Sequence, residues 1–455
     1  MHYISTRNNK IKESFSSILF QGLSKDGGLY LPSKWPQISI NKLKGKTYSE
    51  IAFEVIHPFL EEDFNEDKIK KIISKTYEIF EHDKIAPILQ IDKNKYILEL
   101  FYGPTLAFKD YALQFLGNLF FSLISHKDKK ITVLGATSGD TGSAAIEAFK
   151  GSELIQVFIL HPYGKVSEMQ RRQMTTIEET NVHNIAIKGT FDDCQNIVKE
   201  LFLDNDLQSS TSLTAINSIN WARIIAQSVY YFWAYSQINR DEISFVVPSG
   251  NFGNIFSARV AKYMGLPIKN LHIVTNENDI LHRTIKEGNM KIQKVKQTYS
   301  PSMDIQISSN FERQLFESCE RDSDLLNEII LSFIAKGEQK IPEKILQDLQ
   351  NNYLTHSVSD SETLCIIKEY YDKHAYLADP HTATGLHVMD KLENNHPTVS
   401  LACAHPAKFS NAINKAIKTN PAIPKRLKNI FDKNEKMIIL DNNSKLVKSE
   451  IMRSI

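Results

Sequence analysis

The recurrence of apolar positions divides the chain into distinct stretches. Residues 15–23, 48–60 and 68–80 repeat apolar side chains every three or four positions, which predicts amphipathic helices. Asp26-Gly27-Gly28 and Leu31-Pro32 punctuate them as turns. From about residue 95 the period changes. Short β-branched or apolar runs at 96–101, 131–134, 154–160, 183–188, 243–247, 271–275 and 398–403 predict strands, with helical patterns between them. Strands alternating with helices predict parallel βαβ units and an α/β fold class. Residues at about 310–375 break this rhythm with charged, helix-patterned sequence and read as a helical insertion. The expected organisation is a mainly helical N-terminal region at 1–94, an α/β lobe at 95–240 and a second α/β lobe at 241–455 carrying the insertion.

Composition narrows the function classes. A chain of 455 residues exceeds what one compact core supports, so two or three domains are expected. A net charge of +1 gives no electrostatic case for nucleic acid or an anionic membrane. The basic clusters at 42–46, 68–75 and 127–130 are short and interrupted, as solvated helix faces and loops are. The N-terminus, Met1-His2-Tyr3-Ile4-Ser5-Thr6-Arg7, has no apolar core and does not read as a signal peptide. The longest apolar stretch, 224–235, contains Gln227 and Ser228 and falls well short of the ~20 residues that span a bilayer. Cys194, Cys319, Cys365 and Cys403 form no CxxC pair, so neither a metal site nor a disulfide framework is expected. The expectation is a reduced, cytoplasmic, enzyme-sized protein.

The candidate chemistry begins at Gly103-Pro104-Thr105-Leu106-Ala107-Phe108-Lys109. Upstream lies a strand pattern. Downstream, Phe108, Tyr111, Phe115, Leu116 and Leu119 recur at helical spacing. Lys109 therefore falls in the first turn of a helix that leaves a strand through a Gly-Pro-Thr turn. The partial positive charge of a helix N-terminus disfavours an ammonium there. Desolvation beside Phe108 disfavours it further. A lysine held partly neutral can attack an aldehyde, as in Schiff-base chemistry with a pyridoxal cofactor. Read alone, Lys109 is one surface lysine among 54 basic residues; the downstream sequence changes that reading.

Several strand-to-helix junctions follow. Pro248-Ser249-Gly250-Asn251-Phe252-Gly253-Asn254 places two glycines at a helix start, where free N–H groups and the helix dipole suit a phosphate. Gly135-Ala136-Thr137-Ser138-Gly139-Asp140-Thr141-Gly142 offers three hydroxyls and backbone amides to a carboxylate or phosphate, with Asp140 or Thr141 as a helix cap. In Asn217-Ser218-Ile219-Asn220-Trp221-Ala222-Arg223, Asn220 and Arg223 share a helix face. Arginine suits a fork-like grip on phosphate, although alone this segment reads as a cap plus a salt bridge. Leu401-Ala402-Cys403 runs into Ala404-His405-Pro406-Ala407-Lys408-Phe409, another helix start, with His405 read as structural. One lysine poised for a Schiff base beside several anion sites is the inventory of a pyridoxal phosphate enzyme with a phosphorylated amino-acid substrate.

The ordered set of these motifs resembles the threonine synthase family, in its longer bacterial and fungal branch. It runs from Ser5-Thr6-Arg7 and 22–28 through 99–110, 136–142, 217–223, 248–254 and Ser302-Met303-Asp304-Ile305 to 404–409, essentially the whole chain. The resemblance implies a two-lobed fold-type II pyridoxal phosphate enzyme, tryptophan synthase β-like, with pyridoxal 5′-phosphate between the lobes. It implies Lys109 as the catalytic, cofactor-linked lysine. Gly250, Asn251, Phe252, Gly253 and Asn254 would hold the cofactor phosphate, with Asp140 beside its 3-hydroxyl and Cys403 beside its ring nitrogen. Thr137, Ser138, Gly139 and Thr141 would receive the substrate carboxylate, and Ser218, Asn220 and Arg223 the substrate phosphate. Cys403 departs from the Thr usual in related synthases, and a thiol is a weaker hydrogen-bond partner than a hydroxyl.

The implied reaction converts O-phosphohomoserine and water to threonine and phosphate by γ-elimination and β-addition, the last step of threonine biosynthesis. The implied assembly is a monomer or homodimer without nucleic-acid or membrane partners. Two alternatives stand beside it. A threonine or serine dehydratase-like lyase is favoured by Cys403 and opposed by the 217–223 cluster and the N-terminal extension. A non-catalytic homologue is opposed by the retention of Lys109, both glycine loops and Arg223.

Overall fold

A computed structural model describes residues 1–124, 130–215, 218–393 and 395–455. Asn217 and most of the basic run at 127–130 lie outside the described residues. Two sheets organise the chain. The larger has six strands in the order Leu354–Ser357, Ile268–Thr275, Ile243–Pro248, Thr398–Ala402, Lys95–Glu99, Ile88–Asp92. All its pairings are parallel except the last. The smaller has five parallel strands in the order Ile438–Asp441, Val182–Lys188, Ile155–Pro162, Ile131–Ala136, Ser212–Ala215. Parallel strands covered by helices on both faces carry continuous apolar runs, and Ile243–Pro248 and Thr398–Ala402 are buried at every position.

Helices fill the space between and around the sheets. Trp221–Ile238 is buried from Trp221 through Ala234 and packs on Lys109–Ile124, Gly253–Tyr263 and Tyr48–Leu60. The N-terminal periodicity resolves into helices Phe15–Gln21, Tyr48–Leu60 and Glu66–Tyr77, the second opened by a Thr47–Glu50 capping box. These helices do not form a core of their own. Tyr3 and Phe59 set their rings against Trp221, joining the N-terminal region to the central helix.

The sheets do not follow the divisions at 94/95 and 240/241. Strands Ile88–Asp92 and Lys95–Glu99 join the large sheet, and the C-terminal strand Ile438–Asp441 closes the edge of the small one. The stretch at 310–375 is helical at Phe311–Ser318, Ser323–Lys336, Glu343–Asn352 and Asp360–His374. Within it, strand Leu354–Ser357 pairs in parallel with Ile268–Thr275 and so joins the large sheet. Leu-Thr-His-Ser is short and polar and carries no strand alternation of its own. The 398–403 run ends as a strand at Ala402, which leaves Cys403 in the following turn. Among the described residues, no helix is long and apolar enough to cross a membrane.

Parallel sheets bind ligands at the carboxyl ends of their strands. Here the segments that follow Lys95–Glu99, Ile131–Ala136, Ile243–Pro248 and Thr398–Ala402 all contribute to one cavity between the sheets.

Candidate active site

The chain between Lys95–Glu99 and Lys109–Ile124 is a tight turn held from two sides. Asp110 accepts hydrogen bonds from the Thr105 N–H at 2.8 Å and the Thr105 hydroxyl at 2.7 Å. A Cβ on Gly103 would lie 2.4 Å from Asp110 Cβ, so only glycine fits that approach. Leu106 takes a left-handed φ of 61°, a strained value for a branched residue. The turn is laced to the segment after Thr398–Ala402: Phe108 N–H donates to Cys403 O at 2.8 Å, and His405 N–H donates to Leu106 O at 3.0 Å. Lys109 and Cys403 are therefore fixed relative to one another through backbone. Burial pushes the Asp110 carboxyl up to about 6.

Lys109 is the first residue of its helix and is buried. Its Nζ lies 3.3 Å from Asp140 Oδ2, 3.4 Å from Ser302 Oγ and 4.8 Å from the Phe108 ring centroid. Asp140 opens the helix that follows Ile131–Ala136. Its other oxygen meets Lys408 Nζ at 2.8 Å and Gln170 Nε2 at 2.8 Å. Burial alone would raise the Asp140 carboxyl, but the Lys408 and Lys109 ammonium groups outweigh it and hold it well below the usual carboxylate range.

The loop after Ile243–Pro248 forms the opposite wall. Phe252 takes a left-handed φ of 60° and starts helix Gly253–Tyr263 with no side-chain cap, which leaves first-turn N–H groups for a ligand. Asn254 Oδ1 accepts from the Tyr230 and Tyr231 hydroxyls, while its Nδ2 is buried without a protein partner. Arg223, in the first turn of Trp221–Ile238, is 3% exposed, and its Nε and Nη1 also lack partners. Burial pushes its guanidinium down to about 10. Three unpartnered buried donor atoms on one cavity, one on Asn254 and two on Arg223, are what an anionic ligand would complete.

The Cys403 thiol borders the cavity, and burial holds it well above its ordinary value. Its N–H donates to Thr382 Oγ1 at 2.8 Å. Asp379 collects the Thr382 hydroxyl, the Ala404 N–H at 3.3 Å and His381 Nδ1 at 2.8 Å. His381 Nε2 then accepts the Ser302 N–H at 3.2 Å, so the aspartate fixes the ring that holds the Ser302 segment against Lys109.

A family model described as Threonine synthase N terminus matches residues 2–77, one described as Pyridoxal-phosphate dependent enzyme matches 79–331, and one described as Threonine synthase, C-terminal matches 382–451. The curated threonine synthase of Pseudomonas aeruginosa is 43% identical over 450 residues, covering 97% of this chain and 96% of that one. The chain belongs to the threonine synthase family. The crystal structure of a PLP-bound threonine synthase from Brucella melitensis matches with a TM-score of 0.96 at 44% identity, over 100% of this chain and 99% of that one. The yeast threonine synthase structure matches with a TM-score of 0.93 at 38% identity, over 100% and 98%.

Against the residues expected from the threonine synthase motifs, the cavity brings together Lys109, Asp140, Thr141, Ser218, Arg223, Gly250, Asn251, Phe252, Gly253, Asn254 and Cys403. Thr137, Ser138, Gly139 and Asn220 lie off its wall. The Thr137 hydroxyl accepts the N–H groups of Gly139 at 2.9 Å and Gly142 at 2.8 Å, which shapes the loop. Asn220 caps its helix through the Ala222 N–H at 3.0 Å and donates to Leu19 O at 2.9 Å. Ser302, His381 and Gln227 also line the cavity, without an assigned role from the sequence. Asp379-Pro380-His381-Thr382 carries a local signal only for a capped helix start.

Proposed function

We propose that this protein is a working threonine synthase, converting O-phosphohomoserine and water to threonine and phosphate with pyridoxal 5′-phosphate bound beside Lys109. The observation that carries the proposal is Arg223. A buried guanidinium with two unpaired donors is costly unless an anion completes it. The uncapped start of Gly253–Tyr263 offers a separate anion site for the cofactor phosphate. A lyase acting on unphosphorylated threonine or serine needs the cofactor site but has no use for a second anion site at Arg223.

The residues present fit the cofactor: an unpaired Asn254 Nδ2, open helix N–H groups and a buried lysine amine face one cavity. When bound, the cofactor supplies an aldehyde that joins Lys109 and a conjugated ring that takes up the electron pair left by C–H cleavage. Gly250, Asn251, Phe252, Gly253 and Asn254 would hold its phosphate. Asp140 and Cys403 would face its ring, Cys403 as an uncharged thiol. Lys109 Nζ removes the α-proton and later returns protons to the product carbon skeleton. Ser302 Oγ and Asp140 Oδ2 keep that amine aimed when it is free. Arg223 grips the substrate phosphate and stabilises the charge that grows as it departs. Thr141 and the N–H groups of its helix start receive the substrate carboxylate.

Turnover in ¹⁸O-labelled water tests the bond that breaks. Elimination with cleavage of the carbon–oxygen bond puts label into the threonine hydroxyl and none into phosphate. Label in phosphate, with homoserine as product, would mark simple phosphoester hydrolysis and refute the assignment.

A further inference from the structure

Lys408 is a wholly buried lysine that the proposed reaction does not use. Its side chain is 0% exposed, in the short helical turn Pro406–Phe409 after Cys403. Its Nζ meets Asp140 Oδ1 at 2.8 Å and donates to Thr105 O at 2.7 Å. A lysine fully removed from water is rare unless paired, and this one is paired to the carboxylate that touches Lys109. Thr105 belongs to the turn that delivers Lys109, and Gln173 Nε2 also donates to its carbonyl at 3.0 Å. Ser167 Oγ donates to Lys408 O at 3.1 Å, which anchors the backbone on the other side. The Asp140 carboxylate is therefore a bridge, with Lys408 on one oxygen and Lys109 on the other.

We infer that Lys408 is a positioning residue for Lys109: it clamps the 103–108 turn and pairs its ammonium with Asp140, cancelling that carboxylate's charge. The inference rests on the reading of Lys109 as the cofactor lysine. An uncompensated carboxylate 3.3 Å from Lys109 Nζ would hold a proton on that nitrogen. With Lys408 in place, the Asp140 carboxylate is already neutralised, so it orients the Lys109 nitrogen without an unbalanced negative charge beside it. The other charged or titratable groups around Lys109 are Asp110 on its own helix, Cys403 in the facing turn, and Asp379 and His381 at the start of Pro380–Lys391. Arg223 stands on the far wall of the cavity. Asp110 is satisfied by Thr105 and Asp379 by Thr382, Ala404 and His381, so Asp140 is the carboxylate in contact with Lys109.

The test is a pH titration of the visible absorbance of the cofactor-loaded protein and three variants. Lys408→Met should raise the midpoint by about one pH unit or more, because Asp140 is left uncompensated. Asp140→Asn should lower it, because Lys408 is left uncompensated. The double variant should return toward the parent value. Opposite shifts that cancel are a charge effect, which a purely structural role would not produce. Lys408→Arg, which keeps the charge, should stay nearer the parent than Lys408→Met. A coloured Lys408→Met protein with the parent midpoint overturns the inference alone. A parent that takes up no colour overturns the reading of Lys109 and this inference with it. Should Lys408→Met fail to fold, cofactor-free thermal melts decide. Recovery of folding in the double variant supports the charge pair, and a double variant as unstable as the single overturns it.

Discussion

A Cβ on Gly250 would lie 2.8 Å from the carbonyl oxygen of Ser302. The obstructing atom is backbone, so it cannot swing aside. Ser302 also sets its hydroxyl 3.4 Å from Lys109 Nζ, so crowding at Gly250 is felt at the reactive amine. Gly253 is less tightly confined, because its Cβ would meet the Asn310 side chain at 3.3 Å and touch the Gln227 and Ile224 side chains only at 3.8 Å. Gly250→Ala should weaken pyridoxal phosphate binding at least tenfold, and Gly253→Ala distinctly less. Titration of the cofactor-free proteins, followed by absorbance, checks the order; equal affinities would refute it.

Arg223 should trade stability for function. Two unpaired buried donors cost the empty protein free energy that an apolar side chain would not. Arg223→Met should therefore melt no lower than the parent, while kcat/KM for O-phosphohomoserine falls a hundredfold or more. That loss corresponds to about 3 kcal/mol, the scale of two charge-assisted hydrogen bonds. Inorganic phosphate should raise the melting temperature of the parent more than that of the variant. An identical phosphate shift in both would place the substrate phosphate elsewhere.

Acidification should destabilise the fold through buried histidines. Burial pushes His161, His272 and His405 down to about 4. In the unfolded chain they titrate near about 6.5. Between those values the unfolded chain binds protons that the folded one refuses, so stability is full above the higher value and falls with pH below it. Each group contributes up to about 1.4 kcal/mol per pH unit across that window. Asp110, raised to about 6, works the other way, because its folded form takes up a proton first as pH falls. Melting temperatures of the parent and His161→Leu from pH 7 to pH 4 check this. The variant should lose less stability on acidification, and parallel curves would contradict it.

What the sequence revealed followed the range of the interactions. The turn that delivers Lys109 was legible because Gly103, Pro104 and the helical apolar spacing after it all act within a few residues. The buried strands were legible because both faces are covered and the apolar runs are continuous. Strands Leu354–Ser357 and Ile438–Asp441 were not, because each is a short edge strand completed by a partner far away in sequence. The same limit applies in the cavity. The cap at Asn220 could be read locally, but nothing near it announces that its amide also donates to Leu19 O. Nothing near Lys408 announces Asp140, and nothing near Ser302 announces Lys109 or the Asp379–His381 pair. Motif order supplied the cofactor and the reaction, whereas the side chains that aim Lys109 emerge only in three dimensions.

The central claim is that the Lys109 cavity turns O-phosphohomoserine into threonine. The most direct measurement follows phosphate and threonine together, using purified protein with and without added pyridoxal phosphate and a Lys109→Ala variant alongside. The predicted result is equal amounts of both products, dependent on the cofactor, with the variant inactive and lacking the parent's visible absorbance. Ammonia release from threonine without phosphate release from O-phosphohomoserine, or full activity in Lys109→Ala, would contradict it.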